Sequence, residues 1–167
     1  MPAGTKPQGD GRAIIFSAPS GAGKTTVVRH LISNPDLALG FSVSATTRAP
    51  RTGETDGQDY HFLTIEEFTS RLADHAFVEH EEVYDGLSYG TLCSEVERLW
   101  AEGRTPLFDV DVVGGQTLKS VFGDSALSIF VMPPSLEALA SRLRGRGTED
   151  EARVQKRLGK AAHELTA

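Results

Sequence analysis

Ser17-Ala18-Pro19-Ser20-Gly21-Ala22-Gly23-Lys24-Thr25-Thr26 sets a lysine and two hydroxyl side chains directly behind two glycines. That order suits phosphate. Gly21 and Gly23 permit backbone angles and a close approach that a Cβ would forbid, so successive N–H groups can turn inward around anionic oxygens. A helix opening near Lys24 adds unpaired N–H groups and the positive end of its dipole. Lys24 reaches β- and γ-phosphates as a mobile cation, and the Thr25 hydroxyl suits Mg²⁺. Ala18 to Thr26 is therefore the expected cradle for the phosphates of a nucleotide. The strict pattern has Gly where this chain has Ala18. The tight turn falls instead on Ser20-Gly21-Ala22-Gly23.

Other groups fit the same chemistry. Asp109 and Asp111 end an apolar run, Leu107-Phe108-Asp109-Val110-Asp111-Val112. In open parallel sheets ligands bind beyond that end of the strands, and an acid there can orient Mg²⁺ through water. One of the two acids could instead cap the helix that follows. Arg48 and Arg51 flank Pro50; their planar forks suit bidentate phosphate contact, although arginines are common on any surface. Tyr60 and Tyr89 can each donate a hydroxyl to that phosphate, or simply pack. Arg142, Arg146 and Arg157 lie on or beside Gly145-Arg146-Gly147, where a hinged lid would bring cations over transferring phosphates only on closing. His75 and His80 do not make a metal site, because on one strand they point to opposite faces and no cysteine or third histidine completes a set.

The elements that must hold these groups are legible in the apolar pattern. Ala13-Ile14-Ile15-Phe16 reads as a buried strand, and Val27, Val28, Leu31 and Ile32 mark one face of a helix. Phe41-Ser42-Val43-Ser44 alternates like a short strand, followed by a polar loop through Glu54. Thr64-Ile65-Glu66-Glu67 is a capping box before a helix carrying Ile65, Phe68 and Leu72. A strand spans Phe77 to Val83, with a turn at Asp85-Gly86. Leu92, Val96, Leu99 and Trp100 form the face of another helix. Leu127 to Met132 is a third core strand, Ser135 caps a helix with Leu136, Leu139 and Leu143, and Thr148 with Glu151 caps another through Leu165. Buried strands alternating with amphipathic helices predict a parallel sheet covered on both faces.

The chain has 167 residues, a formal net charge of -6 and one cysteine, Cys93. An acidic balance removes the general basic footprint of a nucleic-acid binder. One cysteine allows no internal disulfide, in keeping with a reducing cytoplasm. No apolar run approaches the length of a membrane span. Met1 to Gly11, rich in glycine, proline and polar residues, reads as a disordered tail.

Taken in order, these segments resemble the guanylate kinase family. The resemblance is carried by Ser17 to Thr25, Phe41-Ser-Val-Ser-Ala-Thr-Thr-Arg-Ala-Pro-Arg51 with Gly53-Glu54, Asp59-Tyr60, Phe77-Val78-Glu79, Tyr89-Gly90-Thr91, Asp109-Val-Asp111, Pro133-Pro134-Ser135 and Arg142 to Thr148. It implies an α/β P-loop nucleoside monophosphate kinase fold: a parallel sheet flanked by helices, a GMP-binding subdomain and a lid. The implied boundaries are a core over 12–40 and 92–141, an insertion over 41–91, a lid over 142–157 and a returning helix over 158–167. The family continues into one more strand and helix. The implied activity is Mg²⁺-dependent transfer of the γ-phosphoryl group of ATP to GMP or dGMP, in a cytoplasmic monomer or homodimer that engages neither nucleic acid nor membrane. By the resemblance Ser44, Glu79, Thr91 and Asp111 hold guanine. Arg48, Arg51, Tyr60 and Tyr89 hold the GMP phosphate. Lys24, Arg48, Arg142, Arg146 and Arg157 act on the transferring group, and Thr25 and Asp109 hold the metal. Thr91 stands where the family often has Ser, and Val113 where Gln is usual. Guanine offers N1–H and N2–H₂ donors that two carboxylates accept; adenine would leave them unpaired. Two other readings are a catalytically silent, peptide-binding relative, which the intact Gly23-Lys24-Thr25 opposes, and a P-loop kinase for another acceptor.

Overall fold

The computed structural model describes residues 4–19, 21–84, 86–145 and 151–164. In chain order the elements are β1 (Ala13–Ser17), α1 (Lys24–Ile32), β2 (Leu39–Phe41), β3 (Ala45–Thr46), β4 (His61–Phe62), α2 (Ile65–Ala73), β5 (Phe77–Tyr84), β6 (Leu87–Leu92), α3 (Cys93–Ala101), β7 (Thr105–Val110), α4 (Val112–Phe122), β8 (Ala126–Phe130), α5 (Leu136–Gly145) and α6 (Glu151–Glu164).

A parallel sheet in the order β2-β7-β1-β8 forms the core. Its inner strands β1 and β7 are apolar on both sides because both of their faces are covered, whereas the edge strand β8 leaves Leu127 exposed. Ile15 and Phe108 point to a layer holding Val96 of α3 and Leu118 and Phe122 of α4. Phe16 and Leu107 point the other way, onto Val28, Leu31 and Ile32 of α1. α5 and α6 pack on each other through Leu139, Leu143, Val154 and Ala161.

A second, mixed sheet has the order β4-β3-β6-β5. Helix α2 closes one face of it, with Phe68 stacked 4.4 Å from Phe77. Thr64 opens α2 as expected: its Oγ1 accepts from the Glu67 N–H, and the Glu67 carboxylate accepts from the Thr64 N–H. That reciprocal pair satisfies donors the helix itself cannot.

The strand expected over 41–44 is divided. Leu39–Phe41 pairs with β7, and the Ser42 N–H continues that ladder onto the Leu107 carbonyl. Ala45–Thr46 belongs to the second sheet, paired with β4 and β6. Residues 42–44 are thus the crossing between sheets, and a core strand precedes the insertion. In β2, Leu99 of α3 fills the space that a Cβ on Gly40 would need.

Two further differences have clear causes. Gly114 and Gly115, poor helix formers, both lie inside α4, a helix whose apolar face the sequence did not mark. A Cβ on Gly115 would stand 3.0 Å from the Ser17 Cβ, so glycine here lets the helix come down onto β1. Residues 4–11, read as part of a tail, run with Arg12 along β5 and α3. Thr5 N–H donates to the Phe77 carbonyl (3.3 Å), Gln8 N–H to Glu97 (2.8 Å), and the Trp100 indole N–H to the Arg12 carbonyl (3.0 Å). Among the described residues no helix is long and apolar enough to cross a membrane.

Candidate active site

The loop leaving β1 turns at Gly21 (φ 95°) and Gly23 (φ 101°), left-handed angles that a side chain would strain. Gly23 is the N-cap of α1, which has no side-chain cap and no acid in its first turn. The first N–H groups of the helix are left for an anion. A cavity of about 300 Å³ opens here, lined by Ala18, Pro19, Gly21 to Thr26 and Asp109 to Asp111. From α5, Arg142 Nη1 donates to the Ala22 carbonyl (2.9 Å).

β7 runs beside β1 with Phe16 opposite Asp109 and Ser17 opposite Val110. The loop therefore rises next to the acidic strand end. Lys24 Nζ makes an ion pair with Asp109 Oδ1 at 2.6 Å and donates to the Val110 carbonyl. Thr25 Oγ1 lies 3.5 Å from Asp109 Oδ2. A hydroxyl and a carboxylate converging beside the phosphate cradle are hard oxygen donors of the kind Mg²⁺ takes, together with phosphate oxygens and water. The residues present fit that ion.

Beyond the same strand end lies a second cavity of about 210 Å³, where Ser44, Tyr60, Glu79, Tyr89, Asp111 and Gly114 meet. Asp109, Val110 and Asp111 line both cavities. Glu79 comes from β5 and is only 8% exposed. Its Oε1 accepts from the Thr91 hydroxyl at 2.7 Å across the β5–β6 pair. Burial pushes the Glu79 carboxyl up to about 7, against the Thr91 donation and with the nearby charges of Asp111 and Glu81 adding to the rise.

Arg48 leans over the rings of Tyr60 (5.2 Å) and Phe62 (5.6 Å). Its Nη1 and Nη2 form a bidentate pair with Glu54 at 2.8 and 2.9 Å. That pairing holds the guanidinium above its ordinary pKa, and orients its plane. Tyr60 and Tyr89 meet edge to face at 6.0 Å, and burial raises the Tyr60 phenol.

Of the residues expected to bind the acceptor, Ser44, Tyr60, Glu79, Tyr89 and Asp111 are together in this cavity, with Arg48 stacked on its wall. Thr91 is different: at 1% exposure it lies beneath Glu79 and touches the carboxylate. Asp111 also caps α4, accepting the Gly114 N–H at 2.9 Å. Arg51 is exposed and joins the cluster by its backbone, donating to Glu54 at 2.7 Å. Ser20, Arg146 and Thr148 lie outside the described residues, as does the side chain of Arg157 on α6. Two participants were not singled out from the sequence. Glu54 lies three residues after Arg51, across a Thr52-Gly53 turn, and that spacing was its signal. Gly114 was hidden in a pair of glycines; a Cβ on it would stand 3.4 Å from both Glu79 Oε2 and Asp111 Oδ1.

A parallel sheet with a glycine–lysine–threonine loop at its strand ends, an acid on the neighbouring strand and a second cavity alongside defines a P-loop kinase. Comparison with known proteins narrows the class. Residues 10–167 match the family model described as guanylate kinase. The guanylate kinase of Porphyromonas gingivalis is 51% identical over 154 residues, covering 92% of this chain and 82% of that protein. That of Salinibacter ruber is 51% identical over 157 residues, 93% of this chain and 82% of the relative. The crystal structure of guanylate kinase from Anaplasma phagocytophilum superposes with a TM-score of 0.71 at 33% identity, covering 93% of this chain and 71% of that one. The chain belongs to the guanylate kinase family.

Proposed function

We propose that this kinase moves the γ-phosphoryl group of ATP to GMP or dGMP, giving ADP and GDP, with the donor phosphates at 18–26 and the acceptor in the cavity of Glu79. The observation that carries the reading is the shared wall: Asp109 to Asp111 border the phosphate cradle and the acidic cavity together. A phosphate held by Arg48, Tyr60 and Tyr89 then faces one held by Lys24. An oxygen of the GMP phosphate attacks the γ-phosphorus, the new P–O bond forms, and the bond to the β-phosphate oxygen breaks in line. The attacking oxygen is already anionic, so no strong base is required. Catalysis is positioning plus neutralisation by Lys24, Arg48 and Arg142, and by Arg146 and Arg157 from the lid. Thr25 and Asp109 would hold Mg²⁺, whose charge offsets that of the β- and γ-phosphates.

Guanine selection falls to Glu79 and Asp111, which accept ring and exocyclic N–H groups, with Ser44 at the same cavity. Thr91 supports the choice by fixing one oxygen of Glu79. A cytoplasmic setting suits the single cysteine and the substrates.

Initial rates with GMP, dGMP, AMP and UMP as acceptors, at fixed ATP and Mg²⁺, test the proposal. Turnover with the guanine nucleotides and at least about a hundredfold lower kcat/KM for AMP is expected, since adenine leaves buried carboxylates unpaired. Equal use of AMP would refute the base assignment.

A further inference from the structure

The chain passes from the core sheet to the second sheet through residues 42–44 and returns where β6 meets α3 at Leu92 and Cys93. Both passages lie beside one carboxylate. Glu95, in the first turn of α3, is 5% exposed. Its Oε1 accepts from the Val43 N–H at 3.2 Å, in the middle of the outbound crossing. The same carboxylate takes Arg98 from its own helix, Nη2 at 2.7 Å and Nε at 3.2 Å. On its other side Nε2 of His61, from β4 of the second sheet, lies 3.6 Å from Oε2.

His61 closes the circuit. Its backbone N–H donates to the Ser44 carbonyl at 2.9 Å. Ser44 lines the acceptor cavity. Glu95 therefore bears on Ser44 from two directions: through the neighbouring Val43 N–H, and through the imidazole of the residue that holds the Ser44 carbonyl. Burial alone would push this carboxyl up. Arg98, the Val43 N–H and His61 outweigh it and leave the group below its ordinary value, ionised as the contacts require.

We propose that Glu95 is a positioning residue for acceptor binding, fixing the 42–44 crossing and, with His61, the stance of the second sheet against the phosphate loop. This rests on the reading that the Glu79 cavity takes GMP. Glu95 does not line that cavity. Its effect passes through Val43, Ser44 and His61, and falls on the acceptor side, because among the described residues its hydrogen bonds and ion pairs lead to Val43, Arg98 and His61.

Steady-state rates of Glu95→Gln, with GMP and ATP varied in turn, test the inference. The substitution keeps an oxygen for Val43 but removes the charge shared with Arg98 and His61. We expect KM for GMP to rise roughly tenfold, as for loss of a charged hydrogen bond, with KM for ATP within about twofold of wild type. His61→Leu should raise KM for GMP by a smaller factor, and the double variant should be no worse than Glu95→Gln, because the two act through one network. Glu102→Gln, which removes an exposed acid shared by Arg98 and Arg104 and leaves the Glu95 contacts in place, should change neither KM. Unchanged KM values in Glu95→Gln, or both raised equally with a lower Tm, would overturn the inference. Should that variant fail to fold, His61→Leu decides in the same way. Wild-type turnover of GMP is measured first in the same assay; its absence sinks the functional reading together with this inference, whereas a normal wild type with an indistinguishable Glu95→Gln sinks the inference alone.

Discussion

Glu79 gives the sharpest handle on how the acceptor is chosen. In the proposed complex its carboxylate accepts two guanine N–H groups best when ionised, yet burial holds it near 7, with Asp111 and Glu81 as acidic neighbours and Thr91 as donor. With a pKa of about 7, roughly ten molecules in eleven carry the proton at pH 6 and one in eleven at pH 8. Apparent KM for GMP should thus rise about tenfold from pH 8 to pH 6. The phosphate of GMP also titrates near pH ~6, so the control is Glu79→Gln, which retains that titration and lacks the carboxyl. The ratio of wild-type to variant KM, taken across pH 5.5–8.5 at constant ionic strength, isolates the protein group. Stability should move the opposite way. Between 4.5, the ordinary value, and about 7 the folded state holds a proton that the unfolded state releases, so stability falls as pH rises through that window, by about 3 kcal/mol in full. Glu79→Gln should then be the more stable protein at pH 8, by about 5 °C or more in Tm, while binding GMP worse. A KM ratio flat between pH 6 and 8, together with an unchanged Tm, would refute the reasoning.

Three other outcomes follow from particular contacts. Lys24→Ala should lower kcat by at least about a hundredfold while leaving the circular dichroism and Tm near wild type, because its cation acts on transferring charge; near-normal kcat would contradict that role. Thr91→Val removes the donor to Glu79, so the carboxyl should titrate higher still, and the rise in KM for GMP should begin at a higher pH in the same rate assay. Gly115→Ala sets the crowding of a methyl 3.0 Å from the Ser17 Cβ against a helix-propensity gain of about 1 kcal/mol; a net loss of about 1 kcal/mol in denaturant unfolding is expected, and a gain would show that the helix–strand contact is not tight.

The parts of the site that are short in sequence were the parts the sequence displayed. Gly21, Gly23, Lys24 and Thr25 form one contiguous turn whose residue types leave little else to build. The core strands announced themselves because both of their faces are buried, so Ile14-Ile15-Phe16 and Leu107-Phe108 are unbroken apolar runs. What stayed hidden depends on distant partners. Whether Phe41 and Ala45 share one strand is decided by β7 on one side and β6 on the other, which no local pattern records. Gly114 and Gly115 are poor helix formers, and only Ser17 and Glu79 beside them give the reason for glycine there. That the Thr91 hydroxyl donates to Glu79 follows from the β5–β6 pairing, which no local pattern reveals. Glu95 carries no motif at all; only burial against Val43, Arg98 and His61 distinguishes it from Glu97, the other acid of the same helix. Gly4 to Gly11 looks like a free tail because its anchor, Trp100, is about ninety residues away.

The account's central claim is that the two cavities hold two nucleotides at once, facing across Asp109 to Asp111. Calorimetric binding of one molecule carrying adenosine and guanosine joined through a polyphosphate chain tests this directly, because linked ligands gain affinity only if both sites can be reached together. The predicted dissociation constant is at least about a hundredfold below that of ATP or GMP alone. A linked molecule that binds no better than ATP would contradict the claim.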